Sequence, residues 1–169
     1  MKRLTLMLAA LAVIVALVVP ATAPAASSKN LVQTAQGAGQ FKTLVKLVKA
    51  AGLASTLSGS AKFTVFAPTD AAFAKVPKST LNALANDKAA LKRVLLYHVV
   101  AGSVPASQVV KLRSAKTVEG QRVRIAVRGG NVYLNGSTQV VKTNVRASNG
   151  IIHVINRVLI PPPAPRFTG

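Results

Sequence analysis

Two apolar segments set far apart in the chain constrain its fold more than any other feature: Phe63-Thr-Val-Phe-Ala-Pro-Thr-Asp-Ala-Ala-Phe73 and Asn149-Gly-Ile-Ile-His-Val-Ile-Asn-Arg-Val-Leu-Ile-Pro161. In the first, a strand over Phe63 to Ala67 must break at Pro68, which has no N–H for a ladder, and Thr69 or Asp70 can then cap a short helix that carries Phe73 inward. In the second, Asn149-Gly150 is a turn signal that feeds a β-branched strand, and Pro161 ends it. Between them lies a third apolar piece, Leu95-Leu-Tyr-His-Val-Val100.

Residues 1–25 read as a secretory leader. Lys2 and Arg3 form a basic start, Leu4 to Val19 is apolar, and Ala23-Pro24-Ala25 has the small-x-small form of a cleavage site. An uncleaved anchor fits less well, because the apolar run stops at Pro20, short of the about 20 residues a bilayer core requires. Secretion is therefore expected, with no transmembrane anchor after cleavage. No cysteine is present, so the domain stands on its core without disulfides. A chain of this length buries roughly 68–70% of its unfolded surface, enough for one self-supporting domain.

Organisation along the chain divides in two. Residues 26–29 are a short polar lead, and Asn30 can cap a helix through Gln36 before Gly37-Ala-Gly39 breaks it. Phe41, Leu44, Val45, Val48 and Leu53 recur at helical spacing, with Lys42, Lys46 and Lys49 on the opposite side. One more turn is expected over Leu53 to Leu57. Beyond the strand at Lys62 to Ala67 and the short helix from Asp70, Ser79 or Thr80 starts a helix through Ala85, and Asn86 or Asp87 caps another containing Leu91, Val94 and Leu95. From Tyr97 the character changes to strands at His98–Val100, Thr117–Val118, Val123–Arg128, Val132–Leu134, Val140–Val145 and Ile151–Leu159. Arg122, Arg124 and Arg128 alternate with Val123, Ile125 and Val127, and Gly129-Gly130-Asn131 turns the chain back, which describes a half-buried hairpin with an arginine face. Residues 162–169 continue a proline-rich tail that leaves the domain. Helices first and antiparallel strands later predict an α+β fold.

Charge is the second constraint. Lys and Arg number 22 against 3 Asp and Glu, and the mature chain remains strongly positive after Lys2 and Arg3 are removed. Such a protein is either drawn to polyanions, with association at the cell envelope an expected fate, or simply carries a solvated basic surface. Composition leaves both open. Nucleic acid would be an incidental, sequence-blind partner, since the leader exports the chain and Phe63, Phe66 and Phe73 are committed to the core rather than to base stacking.

Catalytic chemistry finds few suitable groups. Of the carboxylates Asp70, Asp87 and Glu119, two sit where helix caps are expected, leaving no pair for glycoside hydrolysis. No Gly-x-Ser-x-Gly elbow accompanies His98 or His153. Two isolated histidines without cysteine match no metal-ligand spacing, and no cofactor is implied. His98 and His153, both flanked by apolar residues, read best as buried, hydrogen-bonded histidines. Asn135-Gly136-Ser137 has the form of a glycosylation acceptor but reads better as a turn.

Taken together, the two apolar segments and the central Leu95–Val100 piece resemble the fasciclin-like (FAS1) domain, over residues 30–161. The resemblance implies a β-sandwich or partly open barrel flanked by several short helices, with the two segments as adjacent central strands. It also implies a non-enzymatic adhesion module whose partner is a cell-surface or matrix protein, or, on the charge argument, an anionic polysaccharide. Tyr97-His98 matches the family's tyrosine-histidine motif, associated in some members with receptor binding. With Arg122, Arg124 and Arg128 these are the candidate ligand-binding residues. Asn144 and Asn156 stand at positions where the resemblance leads one to expect acidic residues.

Overall fold

The structure is a computed structural model and describes residues 29–162. The predicted leader, most of the polar lead and nearly all of the proline-rich tail lie outside the described residues.

Local capping chemistry sets out the helical half. α1 (Leu31–Gly37) opens on a full capping box: the Asn30 side chain accepts from the Gln33 N–H, and the Gln33 side chain accepts from the Asn30 N–H. α2 (Lys42–Ala50) buries Leu44 and Val48 and turns Lys42, Lys46 and Lys49 outward. α3 (Ala54–Ser58) adds one turn that buries Leu57. β1 (Phe63–Pro68) leads into α4 (Asp70–Ala74), whose cap is Thr69. Asp70 is thereby free to serve another helix. Its carboxylate accepts from the N–H groups of Thr43 (2.8 Å) and Lys42 (3.3 Å), capping α2, which has no side-chain cap of its own. α5 (Lys78–Asn86) starts right after Pro77 rather than at Ser79 or Thr80, because proline presets φ and has no N–H to leave orphaned. α6 (Lys88–Tyr97) is capped by Asp87.

In the second half, β2 (Val99–Ala101) is followed by a four-residue helix, α7 (Ala106–Val109), that the sequence reading lacked. β3 (Ser114–Lys116) lies just ahead of the expected Thr117–Val118 strand. β4 (Arg122–Arg128), β5 (Asn131–Leu134) and β6 (Thr138–Ala147) follow as expected. β7 (Gly150–Ile155) stops well before Pro161. His98 ends α6 instead of starting a strand. Among the described residues, no helix is long and apolar enough to cross a membrane.

One seven-stranded sheet runs in the order β2-β1-β7-β6-β5-β4-β3. All pairs are antiparallel except β1 and β7, the two apolar segments, which pair in parallel from Phe63↔Gly150 to Pro68↔Ile155. The two outer strands meet at a bridge between Val100 and Thr117, with the Val118 N–H donating to the Val99 carbonyl at 2.8 Å. The sheet is thus nearly closed into a barrel, the partly open form of the predicted fold. Side-chain alternation produces two cores. Val65, Ala67, Ile152 and Val154 face the helices, alongside Leu31, Leu44, Val48, Leu91 and Leu95. Phe66, Ile155, Val123, Ile125, Val132, Leu134 and Val140 fill the barrel with Tyr97.

The turn before β7 does more than reverse the chain. A Cβ on Gly150 would overlap the carbonyl of Phe63, so only glycine permits this parallel pairing. Asn149, buried, accepts from the Leu31 N–H (2.8 Å) and donates to the carbonyls of Leu57 (2.6 Å) and Gly59 (2.9 Å). One side chain thereby joins the start of α1 and the end of α3 to the strand.

Candidate functional site

Groups capable of acid–base chemistry are absorbed by the fold. Asp70 caps α2; burial raises its pKa, but the hydrogen bonds from Thr43 and Lys42 outweigh that and hold it below the ordinary carboxylate value. Asp87 accepts from the N–H groups of Ala89 and Ala90, both at 3.0 Å. Glu119 pairs with Arg93 at 3.3 Å and accepts from the Gln121 N–H. These are all the carboxylate side chains in the sequence.

Both histidines are held neutral with a fixed tautomer. His98 is 2% exposed. Its Nδ1–H donates to the Val94 carbonyl (2.7 Å), and Nε2 accepts from the Leu159 N–H (2.8 Å), which can only donate. Burial pushes its pKa down to about 4, against a smaller opposite effect of the Val94 bond. His153 repeats the pattern: Nε2–H donates to Val104 O (2.9 Å), Nδ1 accepts from the Asn144 N–H (3.4 Å), and burial lowers its pKa. Its ring stacks on Phe66, its cross-strand partner, at 5.7 Å. His98 therefore pins the segment after β7 to α6, and His153 pins the loop before α7 to β7.

Tyr97 is 1% exposed, so the Tyr97-His98 pair touches no solvent-facing surface. Its hydroxyl nevertheless reaches the arginine strand from beneath, donating to the Arg122 carbonyl (3.3 Å) and accepting from Asn135 Nδ2 (3.0 Å). Asn135 Oδ1 in turn accepts from the Arg124 N–H at 3.0 Å. With φ of 50° at Asn135 and 80° at Gly136, the dipeptide forms the left-handed hairpin turn between β5 and β6, as expected of it.

Above this floor the arginine face is solvated. Arg122, Arg124 and Arg128 are exposed on the outer side of β4, and no helix covers them. β3 adds to the face: Lys116 lies directly opposite Arg122, and Ser114 opposite Arg124. Arg128 is diverted, its guanidinium carbon 5.8 Å from the ring centroid of Tyr133. The structure thus brings Tyr97 and the arginines to the two sides of one strand pair, and leaves His98 elsewhere in the core. Lys116 escapes the sequence reading because the expected strand starts three residues later, at Thr117. The outward placement of Ser114 and Lys116 around Ala115 is the period-two signal that marks it.

Asn144 and Asn156 have structural duties too. Asn144, at φ 58°, accepts from the Ala106 N–H (2.9 Å) at the start of α7. Asn156 accepts from the Gln139 N–H at 3.0 Å. A carboxylate could accept the same bonds, so the amides preserve the geometry and drop the charge.

Comparison with known proteins places this geometry. A family model described as the Fasciclin domain matches residues 39–161. Protein sll1483 of Synechocystis is 42% identical over 138 residues, covering 80% of this chain and 76% of that protein. Transforming growth factor-beta-induced protein ig-h3 of Sus scrofa is 34% identical over 134 residues, 79% of this chain but 20% of that much longer protein. Among solved structures, a FAS1 domain pair from the insect cell adhesion molecule Fasciclin I superposes with a TM-score of 0.67 at 19% identity, over 80% of this chain and 52% of that one. At that identity the likeness speaks for the fold alone.

Proposed function

Because the chain belongs to the fasciclin-domain family, we propose that it is a secreted, single-domain module that binds non-covalently at a cell surface or extracellular matrix, with no catalytic step. The observation that carries this reading is the use of the reactive groups: three carboxylates and two histidines all serve as caps, pairs or core hydrogen bonds. What remains for a partner is a rigid, solvated surface. A fasciclin-fold relative is itself described as a cell adhesion molecule, which agrees with the reading. Retention of the purified mature protein on cells, matrix components or envelope polymers at physiological ionic strength tests it. A protein that washes through all of them ends it.

A second reading has its own support in the uncovered basic face of β3 and β4. In it the domain is an electrostatic module for anionic polysaccharide or cell-envelope polymer. Affinity then falls steeply with added salt, whereas a salt-independent association removes the reading.

A further inference from the structure

Opposite Arg122 on the neighbouring strand stands another cation, Lys116, in direct register. Like charges facing each other across a strand pair oppose folding. Among the described residues no carboxylate relieves this pair: Asp70 and Asp87 cap distant helices, and Glu119, the acid nearest in sequence, is engaged by Arg93 and the Gln121 N–H. Arg124 extends the array one pleat further on the same face. Arg122 leans toward Ser114, which faces Arg124, at 3.5 Å. Three uncompensated cations therefore stand on two adjacent strands, spaced about 4.8 Å across the ladder and about 7 Å along it.

Nor is the array loosely held. The Tyr97 hydroxyl, from the barrel core, and the exposed Asn135 amide, from the neighbouring turn, hold β4 at the Arg122 carbonyl and the Arg124 N–H. The backbone that displays the cations is fixed before any ligand arrives, which lowers the ordering cost of binding. The lysines of α2 have no comparable arrangement; they stand one per turn along a solvated helix face.

We infer that Lys116, Arg122 and Arg124 form a seat for an extended acidic polysaccharide carrying a carboxylate on each sugar unit. This rests on the second reading above and names its partner. Guanidinium forks match carboxylates in two-point contact, and cations in rows on a two-stranded ladder suit an extended chain better than a globular anion. Nucleic acid fits less well, because the aromatic ring on this part of the sheet, Tyr133, is already covered by Arg128 and offers no stacking platform.

Oligogalacturonate titrated calorimetrically into the mature chain tests the assignment, with dextran as the neutral control. Triple replacement of Lys116, Arg122 and Arg124 by Ala is expected to weaken binding by about tenfold or more. Removing the same charge from α2 with Lys42→Ala, Lys46→Ala and Lys49→Ala is expected to change it by less than about threefold. The double replacement Arg122→Lys and Arg124→Lys keeps the charge but loses the fork, and also weakens binding. Equal losses from the two triple variants would overturn the seat in favour of diffuse charge, leaving the polyanion reading intact. Duplex DNA or anionic phosphatidylserine vesicles bound as tightly as the oligosaccharide, with the same dependence on these three residues, would overturn the choice of partner. A wild-type chain that binds no polyanion at all would remove both the seat and the reading beneath it.

Discussion

The β1–β7 pair and the β4–β5 hairpin belong to one sheet yet live in different surroundings. Every residue of β7 is buried, because Ile152 and Val154 face the helices while His153 and Ile155 face the barrel interior. β4 buries only Val123 and Ile125 in the barrel and turns Arg122, Arg124 and Arg128 to water. Apart from the half-buried Phe63, the first pair keeps its side chains inside; the second turns a whole face to water. Family resemblance is accordingly carried by strands whose side chains serve the core, whereas the solvated face lies on strands that the resemblance hardly constrains.

Glycines give the sharpest way to break this contrast. Gly150→Ala drives a methyl group into the Phe63 backbone at the first rung of the parallel pair, and is expected to lower stability by about 4 kcal/mol or more, or to prevent folding. Gly129→Ala, at φ 56° in the hairpin turn with open space around it, is expected to cost only about 1–2 kcal/mol. Urea denaturation of the two variants measures both. Comparable losses would mean that the two halves of the sheet are equally constrained.

Acid should act next most strongly, and on the buried half. His98 titrates at about 4 when folded against an ordinary 6.5, so on acidification the unfolded chain takes up the proton first. Its contribution is complete above pH 6.5, is lost as pH falls toward 4, and levels off below, a loss of about 3 kcal/mol. The depressed value of His153 acts in the same direction. Denaturation midpoints that stay constant across this window would refute the neutral, doubly bonded histidines.

Smaller effects are expected where the two regions communicate. Tyr97→Phe keeps the ring in the barrel but removes the hydroxyl shared by Arg122 and Asn135, and should cost about 1 kcal/mol. Hydrogen exchange should then quicken at the Arg124 amide, which Asn135 holds, and not at the amides of β7. Arg124→Ala, on the solvated face, should leave stability within about 0.5 kcal/mol of the parent. A large loss there would show that the arginine face serves the fold after all.

Much of this was legible where the cause was local. Asn30 and Asp87 cap the helices that follow them, and Asn135-Gly136 and Gly129-Gly130 turn the hairpins, because each acts on backbone a few residues away. Adjacency of β1 and β7 could not be read from periodicity and came only with the resemblance, and neither indicates that the two strands run parallel. Asp70 was legible as a cap, yet the helix it serves lies well upstream, and no local signal reveals that choice. α7 escaped because four residues between a proline and a loop carry no helical period. At the candidate site the arginine alternation was plain, but the tie from Tyr97 through Asn135 to Arg124 joins residues that only the closed barrel brings together.

The bridge between Val100 and Thr117 has a consequence for how such a domain could hold anything. An open sheet offers two rows of unpaired backbone groups, onto which a strand of another molecule can be added. Here β2 and β3, the strands that would supply those rows, meet each other at that bridge. Attachment through strand exchange or end-to-end sheet extension is disfavoured, which leaves side chains as the means of contact. A domain closed this way leaves few backbone groups through which its copies could join sheet to sheet.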